Sequence, residues 1–88
     1  MKKKQGIKQY LSLDDTVKAI QAFLQSQQMK YVDVARLLCV SPGLVRRWDT
    51  GERQMPLLAA RALEWFGELS PSKRERIMLK VRADAQVQ

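Results

Sequence analysis

The stretch "VARLLCVSPGLVRRWDTGER", Val34 to Arg53, decides how the chain is read. Ser41-Pro42 is a strong helix start. The serine hydroxyl caps the first turn, and proline at the first helical position lacks an N–H that would be unpaired there. Gly51 is the matching stop. Leu38 to Ser41 carry the chain between two very short helices, and so tight a turn sets them at a steep angle. Residues in a helix advance by about 100° each. Val45 and Trp48 therefore share an inward face, while Gly43, Arg46, Arg47 and Thr50 point outward.

Other helices follow on either side. The first covers Leu13 to Gln28. Ser12 with Asp15 resembles a capping box, and Asp14 and Asp15 suit the positive end of the helix dipole. Val17, Ile20, Phe23 and Leu24 form its apolar stripe. The second spans Tyr31 to Leu38, with Val34, Ala35 and Leu38 inward. Lys30 is a poor cap for it, and Met29 is placed to staple onto Val34. The third opens at Ser41 and ends near Thr50. The fourth runs from Pro56 to Leu69, burying Ala59, Ala60, Leu63 and Phe66. The fifth begins near Ser72, where Ser72 and Glu75 form a capping box, and carries Ile77, Met78 and Val81. No alternating apolar run is bounded by hairpin turns, so the expected class is all-α.

Composition narrows the function. The chain has 88 residues, room for one small domain. Its net charge of +7 favours a polyanionic partner, nucleic acid or an acidic membrane surface, though it also suits simple solubility. Histidine is absent and Cys39 is the single cysteine. A disulfide within the chain and Cys/His metal or catalytic pairs are therefore excluded. The expectations are no enzyme activity, no metal or cofactor, and a reducing, cytoplasmic setting with the nucleoid nearby. No apolar run approaches the roughly 18 residues of a membrane span. The division expected is a basic arm over 1–11, a helix-turn-helix domain over 12–69 and a C-terminal helix over 70–88, a possible dimerisation element.

The run "KYVDVARLLCVSPGLVRRWDTGERQMP", Lys30 to Pro56, resembles the XRE-type helix-turn-helix of the Cro and phage-repressor family. The matching positions are Val34-Ala35, Val40-Ser41, Val45, Trp48-Asp49, Gly51 and Pro56. The resemblance covers about residues 13 to 69 and implies a five-helix, lambda-repressor-like domain. It further implies that Pro42, Gly43, Arg46 and Arg47 contact base edges. Tyr31, Val32, Thr50, Arg53 and Gln54 stand where such proteins hold phosphates. Three positions depart from the family pattern. Tyr31 replaces a usual glutamine, Cys39 replaces a usual turn glycine, and Pro42-Gly43 leaves base reading to the two arginines.

The function implied is a transcriptional repressor that binds a near-palindromic duplex operator as a dimer, as a phage or plasmid regulator would. Trp65, Leu69, Ile77, Met78 and Val81 exceed what a four-helix module needs and are the candidate dimer surface. Recognition helices would then lie about 34 Å apart, one turn of DNA. Lys2, Lys3 and Lys4 lie along phosphates or a minor groove, or form a solubilising tail. Arg53 clamps a phosphate or pairs with Glu52 or Asp49. Asp49 is read as structural and Cys39 as a small packing residue. Two alternatives stand beside this reading. One is an antitoxin-type interaction module that neutralises a toxin partner and binds DNA secondarily. The other is an excisionase- or MerR-like architectural binder.

Overall fold

The computed structural model describes residues 9–86. It forms five helices: α1 (Leu13–Gln27), α2 (Tyr31–Leu38), α3 (Pro42–Thr50), α4 (Leu57–Gly67) and α5 (Pro71–Gln86). No strand forms among the described residues, and the all-α expectation holds.

Local chemistry sets the ends. Ser12 Oγ accepts from the Asp15 N–H at 3.1 Å, and Ser41 Oγ accepts from the Leu44 N–H at 3.1 Å. At α2 the Lys30 side chain caps nothing; instead the Asp33 carboxylate accepts from the Lys30 N–H at 3.2 Å. At α5 the expected Ser72–Glu75 box is displaced. The helix begins at Pro71, and Ser70 Oγ accepts from the Lys73 N–H at 3.4 Å. The Ser-Pro logic of α3 therefore operates here too.

Two helices stop on residues with positive φ that are not glycine. Gln28 ends α1 at φ 53° and Cys39 ends α2 at φ 60°. A side chain in this region costs roughly 1 kcal/mol relative to glycine. Cys39 accepts that strain because the turn depends on it: the N–H groups of Cys39 and Val40 both donate to the Ala35 carbonyl. Its side chain is exposed, which corrects the reading of Cys39 as a packing residue.

The core joins all five helices. Ile20 and Phe23 of α1, Val34 and Ala35 of α2, Val45 and Trp48 of α3, Leu63 and Phe66 of α4, and Met78 of α5 are buried together with Met55. Phe23 and Phe66 pack tilted, with ring centroids 5.9 Å apart. Val17 is only half-buried, whereas Thr16 beside it is fully buried. Its hydroxyl accepts from the Met55 N–H at 2.9 Å, which ties α1 to the loop before α4.

That loop also holds the start of the described chain. Leu11 N–H donates to the Met55 carbonyl at 3.0 Å, and Leu57 N–H donates to the Gln9 carbonyl at 2.7 Å. Tyr10 and Pro56 form an isolated antiparallel bridge. The expected arm boundary at residue 11 therefore moves, because residues 9–11 dock onto the domain. Lys2, Lys3 and Lys4 lie outside the described residues.

Candidate nucleic-acid interface

Helix α3 has nine residues, a span of about 13 Å. Three features hold it. Ser41 caps its start. Val45 and Trp48 anchor it from beneath, at 0% and 1% exposure. Gly51 closes its end at φ 79°, with its N–H directed at the Arg47 and Trp48 carbonyls. A Cβ on Gly51 would meet Val17 Cγ2 at 3.3 Å, so both backbone and space favour glycine there.

With Val45 and Trp48 inward, Pro42, Gly43, Arg46, Arg47 and Thr50 are all exposed. The sequence wheel placed them so. Gly43 faces open space: a Cβ there would touch only Ser41 Oγ, at 3.9 Å. The loop after α3 folds back on it, since the Glu52 and Arg53 N–H groups both donate to the Arg47 carbonyl, at 2.9 and 3.3 Å. The exposed side chain of Arg53 therefore leaves from the same helix end as Arg47. Among the described residues the ion pair formed is Arg82 with Asp33, so Arg53 does not pair with Glu52 or Asp49.

Three of the residues expected at phosphates are engaged within the chain. The Tyr31 hydroxyl donates to Asp49 Oδ2, spanning the start of α2 and the end of α3. A phenol has one hydrogen, so donation from Tyr31 to a phosphate is replaced here by this contact. The bond to Asp49 raises the Tyr31 pKa above its ordinary value, helped by burial and the Asp49 charge and opposed by Arg46. Asp49 Oδ1 is buried without a hydrogen-bond partner among the described residues. The Gln54 amide donates to the Leu11 carbonyl at 3.0 Å and so secures the docked segment. The Thr50 hydroxyl lies 3.2 Å from the Arg47 carbonyl and 2.9 Å from a Glu52 carboxylate oxygen. Val32 is exposed and supplies only its backbone to a polar partner.

Sequence reasoning missed the Tyr31–Asp49 clamp, although it assigned Asp49 a structural role. The two residues are 18 apart, and only the close approach of α2 and α3 brings them together. No protein-family model, curated protein or solved structure matches this chain.

The candidate dimer residues divide differently from expectation. Met78 is 5% exposed in the chain's own core, which removes it from any partner surface. Leu69 and Ile77 are half-buried against that core, and Val81 is half-buried as well. Trp65 alone of the five is well exposed.

Proposed function

We propose that the protein is a lambda-repressor-like, sequence-specific binder of duplex DNA that represses transcription as a dimer in the cytoplasm. One observation carries this reading. A short helix, capped at both ends and anchored by two buried side chains, presents adjacent, exposed arginines on its outer face. A helix of this width fits a major groove, and arginine can donate two parallel bonds to guanine O6 and N7. The net charge of +7 supplies attraction for phosphates.

Roles differ along the surface. Arg46 and Arg47 read bases, with Pro42 and Gly43 allowing the backbone to approach closely. Arg53 at the end of α3 holds a phosphate. Tyr31 positions α3 through Asp49. In binding titrations Arg47→Ala lowers specific affinity by about 1–3 kcal/mol and relaxes sequence preference, while Arg53→Ala weakens all duplexes alike and reduces the salt slope. If both variants keep wild-type specificity and salt slope, these roles are wrong.

A further inference from the structure

The outer face of α4 holds an apolar row with nothing packed on it among the described residues. Leu58 is 70% exposed and Trp65 is 56% exposed, and Ala62 between them is half-covered, whereas Leu69 beyond the helix end packs on the core. Leu58, Ala62 and Trp65, spaced by four and three, lie on one stripe of the helix. Leu63 and Phe66, which bury the other face, keep that stripe turned outward.

We infer that this stripe is a two-fold, antiparallel seam with α4 of a second copy. The pattern is self-complementary in shape. Reversing the helix direction places small Ala62 opposite large Trp65 of the second copy, with a Leu58 at each end of the seam. It is also self-complementary in charge. Arg61 and Glu68 both flank the stripe on the same edge, both are exposed, and neither has an ion-pair partner among the described residues. Antiparallel packing brings Arg61 of each copy to Glu68 of the other, twice per dimer. A two-fold axis requires this kind of patch, one that matches its own reversed copy. A parallel two-fold arrangement would set Trp65 against Trp65 and carry Arg61 and Glu68 of the two copies to opposite edges of the seam, so it gains neither the small-to-large fit nor the ion pairs.

The inference deepens the dimer named above and narrows its candidate surface, which ran from Trp65 on α4 to Val81 on α5, to α4 alone. The helix is 11 residues long, so the seam spans about 16 Å. That is small for a specific interface, and the dimer belongs in the micromolar range.

The test is sedimentation equilibrium of the full chain without DNA, from roughly one to several hundred micromolar. Wild type is expected to move from monomer to dimer across that range. Leu58→Glu and Arg61→Glu are each expected to raise the dissociation constant about tenfold or more, with circular dichroism unchanged. The double reversal R61E/E68R restores the opposite-charge pairs and is expected to recover most of the loss. A wild-type monomer throughout overturns the inference. So does an R61E chain that dimerises normally, or a double variant no better than the single. DNA takes no part in this measurement, so failure of the DNA-binding reading shows separately, as absent duplex binding by wild type.

Discussion

Helices α3 and α5 contrast in how sequence length relates to structural hold. α3 has nine residues and buries Val45 and Trp48 almost completely. It packs against both α1 and α2. α5 has sixteen residues, buries only Met78 among its described side chains, and packs chiefly against α2. Length therefore does not measure rigidity. The short helix is defined by two caps and two anchors, and those features leave its outer face exposed without cost to its hold. The long helix has one anchor and one half-exposed ion pair, Arg82 with Asp33 at 3.5 Å.

The contrast gives a ranked set of expectations. Trp48→Ala removes the largest fully buried side chain and is expected to cost about 3–5 kcal/mol, enough to unfold a small domain. Met78→Ala should cost less, about 2–3 kcal/mol, because α5 can settle onto the gap. Chemical denaturation of both variants measures the difference; equal losses would mean that α5 is held as firmly as α3. Next comes Gly43→Ala. Its new Cβ has room, so stability should rise by up to about 1 kcal/mol from helix propensity alone. Operator affinity should fall if close backbone approach matters, and a rise in both would remove Gly43 from the interface.

The smaller effects concern polar links. Arg82→Ala is expected to change stability by about 0.2–1 kcal/mol, vanishing at high salt, since the arginine is half exposed. The Tyr31–Asp49 clamp gives a pH signature. Its raised pKa means the neutral phenol is favoured in the folded state. The clamp is therefore fully present below the ordinary tyrosine value of 10.0 and is lost as pH rises through the higher folded value. Tyr31→Phe should flatten the alkaline arm of a stability–pH curve, and an unchanged arm would show that the clamp contributes nothing.

Much of this architecture was legible because it rests on local rules. Ser41-Pro42, Gly51 and the Val45–Trp48 spacing specify α3 without reference to any other segment. What escaped notice depends on distant partners. Thr16 looks like an ordinary polar residue until Met55, 39 positions away, donates to it. The bridge of Tyr10 with Pro56 is too short for any alternating pattern to reveal. The clamp of Tyr31 with Asp49 and the redirected role of Gln54 are tertiary in the same sense. Met78 was misplaced among the dimer candidates for a related reason. Periodicity marks apolar residues, but it cannot tell whether the chain itself covers them, as it does Met78, or leaves them open, as it does Trp65 and the unexpected Leu58.

The central claim is that Arg46 and Arg47 on α3 read sequence in duplex DNA. Selection of bound sites from a random duplex pool, run at two salt concentrations, tests it most directly. The account predicts enriched near-palindromic sites with guanine in each half, bound far more weakly at the higher salt. A pool that yields no enriched sequence, or half-sites made only of A and T, would contradict it.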